Sequence, residues 1–555
     1  MICKSSALQI TTLLIAVVMF TTMLSSAAEC GNSHEGFFKI PKLVLKEDKG
    51  IGSRDYSIDI RSNVQTLKFN TSTDSYPKRS LTDLNKTGLR NSNQLSEVNE
   101  FLKSDNISEN SRTRYFSDKY LKDVNSDFKY WESEKRFGTA VWELAIIEFI
   151  PWALSKYIMK PGWANVGFQS WWSNIQNGWE YDGDNFLTNN FAHPYHGNLY
   201  FNSARTNGYN FWESVPFAFG GSLLWEYFGE YYRPSFNDWI NTSVSGFNLG
   251  EMTYRVANLV TDNTTRGSQR VWSEIWGALL NPVRGFNRLI SGEASKVHPN
   301  IALYDVPVRL YVDGGMRRVV KSGSDFAGDS VSTEGMVGFN LIYGNENSFD
   351  LDQPFSRFRV WGHISNGSSK LTELFSYGLL KGWKLGGKEK NKQLFTLNIT
   401  YNFMTNPAFE FGGPALLGVF TLKNMLGEKT FLKSDLGLYA VLMGSTSTEY
   451  FYGEDGRDYD FGPGPGILLS TSITDGTWNY VSAMYQGFTI LTMSGSPDSK
   501  HYLHNALASF TLPINNYFGI GLEASVFWRN SFYKDPDPDV SRTSPMGRLF
   551  FITKL

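Results

Sequence analysis

The chain has 555 residues and a net charge of −2. Charged residues make up only 19% of it, below the ~25% of ordinary soluble proteins, and without a basic surplus an electrostatic nucleic-acid surface is excluded. Aromatics reach 15% and Gly 51 residues, yet mean hydropathy is −0.29 and no run of ~20 apolar residues follows the first segment, which excludes a polytopic helical membrane protein.

The first segment reads as an export signal. Lys4 precedes an apolar stretch from Ala7 to Leu24, and Ser26-Ala27-Ala28 forms a small-residue cleavage site. Cys30 follows Glu29, where a lipobox needs a small residue, so lipidation is not expected. With Cys3 removed, one Cys is left and no intramolecular disulfide is expected. Residues 29–128 are rich in Asn, Ser, Asp, Lys and Thr without apolar periodicity, which predicts a mostly disordered linker. Ile40–Leu45 is expected as a short docking strand and Ser96–Leu102 as a short helix.

From residue 129 to 300 the character changes, and twelve of the sixteen Trp lie here. Apolar helices are expected over Thr139–Met159 (with Pro151 as a kink), Ser214–Tyr232, Asn241–Val260 and Val271–Ile290, the last broken by Pro282. Such all-round apolar helices predict burial inside a compact helical domain.

From Ile301 the period becomes two. Phe395, Leu397, Ile399, Tyr401 and Phe403 alternate with Thr396, Asn398, Thr400 and Asn402, and similar runs recur to the C-terminus. Twelve strands are expected, at 301–312, 335–343, 355–365, 371–383, 392–403, 415–424, 431–443, 463–473, 477–492, 501–512, 517–529 and 545–555. Runs of ~10 residues suit tilted membrane strands, with long loops near 313–334, 444–462 and 530–544 on one side. The fold class is therefore α+β: an N-terminal helical domain followed by an antiparallel transmembrane β-barrel of about twelve strands. The final Leu555 replaces the aromatic residue on which such barrels often end.

The string His193-Pro194-Tyr195-His196-Gly197, with Tyr200, Ala204-Arg205, Trp225-Glu226-Tyr227, Glu230, Pro234, Asn237-Asp238, Gly246, Gly250-Glu251 and Arg255, resembles a bacterial envelope family, the domain of unknown function DUF3943. The resemblance implies a bacterial outer-membrane location and no established activity. Glu226 and Glu230 lie four apart on one helix face, and Glu251 and Arg255 repeat the spacing as an ion pair. Three readings stay open: a buried ion-pair network, a metal set from His193, His196, Glu226 and Glu230, or a head-group site in which Arg205 and Arg255 grip phosphate.

Gly362-His363-Ile364-Ser365-Asn366-Gly367 resembles the catalytic segment of outer-membrane phospholipase A, another twelve-stranded barrel, and lipid A deacylases carry a shorter form. Residues two apart on a strand share a face, so His363 would serve as base for Ser365, with Glu373 orienting the imidazole. Both share a side with Arg357 and Arg359, which predicts the lumen rather than lipid, and Asn-Gly is itself a turn signal. His501 and His504 read as exposed rim residues. No Walker loop, C-x-x-C or H-E-x-x-H is present.

These observations predict a Gram-negative outer-membrane barrel with a periplasmic or lumen-plugging helical domain, structural or lipid-interacting in role. A lipid hydrolase using Ser365 and His363, or a small-molecule transporter gated by the polar cluster, are the alternatives. The expected partners are outer-membrane lipid and the barrel assembly machinery. Cofactor, metal and small-molecule ligand are left unidentified.

Overall fold

The computed structural model describes residues 44–47, 56–59, 134–298, 300, 306–320, 331–344, 351–367, 370–387, 391–453 and 456–555. The expected signal segment and the helix at 96–102 lie outside these. In the first unit, β1 (Val44–Glu47) pairs antiparallel with β2 (Tyr56–Asp59), so the strand expected at Ile40–Leu45 overlaps a local hairpin.

The second unit contains a closed antiparallel barrel of twelve strands. They are β3 (Val308–Val320), β4 (Val331–Tyr343), β5 (Phe358–Ser365), β6 (Leu371–Gly386), β7 (Asn391–Thr405) and β8 (Glu410–Met425). Around the other half run β9 (Phe431–Ser447), β10 (Tyr459–Thr474), β11 (Asn479–Leu491), β12 (Lys500–Pro513), β13 (Phe518–Phe532) and β14 (Val540–Lys554). All twelve expected strands are found. Only the first is misplaced, starting at Val308 rather than 301 and running through Gly314-Gly315, where the apolar alternation breaks.

Alternation sets the two faces. Thr396, Asn398, Thr400 and Asn402 line a cavity of ≈ 380 Å³ in the lumen, with Asp313, Arg359, Glu523 and Arg548. The opposite face is apolar, and where nothing covers it the side chains are open: Leu438 is 66% and Phe551 68% exposed. Long and short connections fall mostly on opposite ends, as expected. The exception is the link between β4 and β5, whose described part turns back onto β6 through Phe355 N–H to Leu379 O (2.6 Å) and Gly382 N–H to Leu351 O (2.7 Å).

The helices are α1 (Phe137–Leu154), α2 (Phe168–Asn177), α3 (His193–Arg205), α4 (Phe211–Leu224), α5 (Phe236–Ile240), α6 (Gly246–Val260), α7 (Gly267–Leu280) and α8 (Pro282–Ile290). Pro282 opens α8, where its missing N–H costs nothing. Among the described residues, four helical runs carry a π turn: Ser155–Met159 after α1, Thr188–Ala192 before α3, Trp225–Gly229 after α4, and Asn241–Ser245 joining α5 to α6.

Residues of the helical unit share cores with outward-facing residues of the barrel strands. The unit packs on the outer wall along one row of paired residues, Leu310–Leu341–Val360–Ser376–Tyr401. Leu310, Leu341, Phe358 and Ile399 share one core with Phe201, Phe211 and Phe247 of the helices. Tyr401 and Phe403 share another with Phe186 and Phe191. Outward-facing Tyr401 is 0% exposed as a result.

Polar contacts hold this seam. Asn248 Nδ2 donates to Ser376 Oγ (2.9 Å) and Ser445 Oγ to Asn190 Oδ1 (2.8 Å), while Tyr401 donates its hydroxyl to the Asn190 carbonyl. Within the layer α3 crosses the π turn before α6 with backbones in contact, since a Cβ on Gly197 would lie 1.8 Å from Thr242 O.

The unit has reversed polarity. Asn189, Asn190, Asn198, Asn202 and Ser203 of the α3 run and Asn207 just after it are buried, whereas Phe137, Trp142, Phe149 and Ile158 of the α1 run are exposed. Phe137–Met159 is apolar and long enough to cross a membrane, and only 17% of its most apolar window is buried. This reverses the expectation that the apolar helices are short and enclosed by protein.

Candidate functional site

The structure divides the expected polar set between the two ends of the helical layer. At one end, Glu251 of α6 is fully buried between two guanidinium groups. Arg205 Nε donates to Glu251 Oε2 and Arg255 Nε to Glu251 Oε1, both at 2.7 Å. Arg205 also stacks over Tyr254, 4.0 Å from its centroid, and Arg255 Nη2 donates to Pro354 O at 3.0 Å. Both cations are thus committed within the protein, in the arrangement of a structural ion triad rather than a phosphate grip.

At the other end, His193, Glu226, Glu230 and Asp238 converge with Asp182 and Asp184. Three π turns build this end. His193 directly follows the first, Glu226 sits inside the second, and Asp238 precedes the third. An extra residue in a helical turn rotates everything beyond it, which is why such bulges gather at functional positions.

His193 Nε2 is 3.8 Å from Asp184 Oδ2 and 3.9 Å from Asp238 Oδ2. Asn237 Nδ2 bridges Asp182 Oδ1 and Asp238 Oδ1 at 2.8 Å each. Trp225 Nε1 donates to Glu230 Oε1 at 2.6 Å, and Ser235 N–H to Glu226 Oε2 at 2.8 Å. His196 stands apart, its ring tilted against Tyr200 and its Nε2 3.4 Å from Ile147 O.

The barrel contributes residues to this end. Arg457 Nη1 donates to Asp182 O (3.0 Å), and the Tyr459 hydroxyl to Asp184 O (2.6 Å). These partners lie far away in sequence, and nothing local announces them. The legible local signal is Asp182-Gly183-Asp184, a short acidic run some ten residues before His193.

In the lumen, His363 and Ser365 do face inward. His363 Nδ1 contacts Glu373, while Nε2 lies 2.6 Å from Arg548 Nη1 and 3.4 Å from Asp313 Oδ2. Neither nitrogen is left to take the Ser365 proton. Ser365 Oγ instead receives Arg317 Nη2 (3.3 Å) and Gly367 N–H (3.1 Å). The β5–β6 pairing shifts register between His363 and Ile364, but this does not carry either side chain to the outer face of the wall. Arg548 also binds Asp313 Oδ1 and Glu523 Oε2, both at 2.9 Å, so the motif belongs to a cross-strand charge network.

His501 departs from the expected exposed rim. It is fully buried, with Nε2 2.8 Å from Asp460 Oδ2 and Nδ1 2.8 Å from Ser531 Oγ. His504 Nδ1 pairs with the Tyr485 hydroxyl at 2.8 Å and its ring stacks on Trp528.

The described fold is thus a twelve-stranded barrel with a helical layer on its outer wall. Within that layer, residues 178–283 match the model of a domain of unknown function, DUF3943. No curated protein matches the chain. Among solved structures, a TodX monoaromatic hydrocarbon channel mutant aligns with a TM-score of 0.21 and 10% identity, over 45% of this chain and 89% of that one. OpdQ of Pseudomonas aeruginosa gives 0.18 and 10%, over 45% and 98%. DcaP of Acinetobacter baumannii, an outer membrane channel, gives 0.20 and 9%, over 45% and 97%. The barrel assignment rests on the chain's own strand pairing and not on these likenesses.

Proposed function

We propose that this chain is a Gram-negative outer-membrane barrel whose helical layer lies in the bilayer beside it and interacts with lipid. The reversed polarity of that layer carries the reading. In water an apolar face is driven inward; in hydrocarbon it can stay outside, and helices associate through small residues and polar side chains. The Gly197–Gly246 crossing and the buried Asn and Ser fit the second environment. Barrel strands of thirteen or more residues (in the barrel β5 alone is shorter, at eight) and the α1 run reach across ~30 Å of hydrocarbon.

The acidic cluster lies on the outer side of the wall, so it is in no position to gate the lumen, and a transporter gated there is not supported. The engaged His363 ring counts likewise against the hydrolase. Lipid and the barrel assembly machinery remain the proposed partners.

Reconstitution into vesicles containing brominated phospholipid tests this. Trp142 is 67% and Trp212 57% exposed on the helical layer. Their emission is expected to be strongly quenched, and Trp142→Phe with Trp212→Phe should remove much of the quenchable signal. Quenching unchanged in the double variant would place the layer outside the bilayer.

A further inference from the structure

Asp182 and Asp184, in the segment leading to the first π turn, and His193 at the start of α3 each offer one donor atom, all within 4.8 Å of one another. Asp238, Glu226 and Glu230 approach the same imidazole from two other helical runs. Arg457 stands close, but its guanidinium donates to the main-chain oxygens of Asp182, Tyr459 and Ser494 and to none of these carboxylates.

A separate observation comes from Asn189, which is 0% exposed. Its Nδ2 donates to the Tyr459 hydroxyl at 2.6 Å and to Asp182 Oδ1 at 2.9 Å, while its Oδ1 has no hydrogen-bond partner among the described residues. A buried amide oxygen left without a donor calls for a partner, and a cation held by the neighbouring carboxylates can supply one.

We propose that Asp182, Asp184 and His193 form a binding site for a divalent transition-metal ion, with Asp238 and the Asn189 amide oxygen as further oxygen donors. An imidazole combined with carboxylates suits Mn²⁺, Fe²⁺ or Zn²⁺ better than the all-oxygen shells of Mg²⁺ and Ca²⁺. The Asp184 side chain is 41% exposed and gives the ion a way in. The segment it sits on is tied to β10 by Tyr459 and to the loop before it by Arg457. A bound ion would therefore pin the helical layer to the barrel wall, independently of whether that layer touches lipid.

The test uses the full chain in detergent, stripped with EDTA and titrated with Mn²⁺ by electron paramagnetic resonance, then with Zn²⁺ as competitor. Saturable, stoichiometric Mn²⁺ binding is expected, displaced by Zn²⁺, with Tm raised by several degrees when ion is in excess. Asp184→Asn and His193→Gln should each weaken binding by roughly ten-fold or more. Faster migration of the unheated protein on a detergent gel reports that each variant is folded. Should His193→Gln not fold, Asp184→Asn, at an exposed position, decides alone. No saturable binding of either ion by the wild type, or unchanged affinity in the folded variants, would overturn the site.

Discussion

Replacing Gly246 by leucine is expected to separate α3 from α6 and to loosen the whole helical layer while the barrel stays closed. A Cβ at Gly246 would lie 2.5 Å from both Gly197 Cα and Gly197 C, and one at Gly197 lies still closer to the Thr242 carbonyl. Both obstacles are backbone, so neither can rotate away. Overpacking of flexible cores costs about 1–3 kcal/mol, and a rigid backbone contact belongs at or above the top of that range. Limited trypsin digestion should cut the helical layer of Gly246→Leu while the barrel keeps its heat-dependent gel migration. A variant as protease-resistant as the wild type would show that the backbones do not meet there.

The second large effect concerns Glu251. Its carboxylate is 0% exposed and is shared by Arg205 and Arg255. Glu251→Ala would leave two mostly buried cations facing each other, and breaking such a pair costs about 3–5 kcal/mol. The loss should appear as a lower Tm and as release of the β4–β5 link, because Arg255 also holds Pro354 O. Glu251→Gln, which keeps an acceptor but not the charge, should fall between. A Tm for Glu251→Ala within a degree of the wild type would contradict the triad.

Strands were legible in this chain because each carries its own period. On β7 the alternation of Thr396, Asn398, Thr400 and Asn402 with Phe395, Leu397, Ile399, Tyr401 and Phe403 names both faces without any tertiary knowledge. β3 was misplaced because Gly314-Gly315 and Arg317-Arg318 interrupt the apolar face in its second half. The helices followed a different logic. α1 and α4 were visible as apolar runs, but α3, with Pro194, Gly197, Asn198 and Asn202, resembles a loop by composition. Its polar residues are the buried ones, which inverts the pattern on which helix reading depends.

The position of the helical layer was not legible for a related reason. Ile399 and Tyr401 look equally apolar whether they meet lipid or a helix, and pairing with Phe186 or Phe211 leaves no mark on either segment. The candidate site was half visible. His193, Glu226, Glu230 and Asp238 stand out in the sequence, but so do Arg205, Glu251 and Arg255, which sit at the opposite end. Spacing along one helix says which residues share a face and not which end of a neighbouring helix they meet. Asp182 and Asp184 gain their role only through the π turns that bring the ends of three helical runs together.

The placement of the helices on the outer wall is tested most directly by a disulfide between Asn248→Cys and Ser376→Cys, in a background carrying Cys30→Ser. The two native side chains are hydrogen-bonded at 2.9 Å across the seam. Mild oxidation should cross-link this pair in intact membranes, while Asn248→Cys with Asn402→Cys, whose second position lines the lumen, should not react. The opposite pattern, cross-linking to position 402 and none to 376, would place the helices inside the barrel and contradict the account.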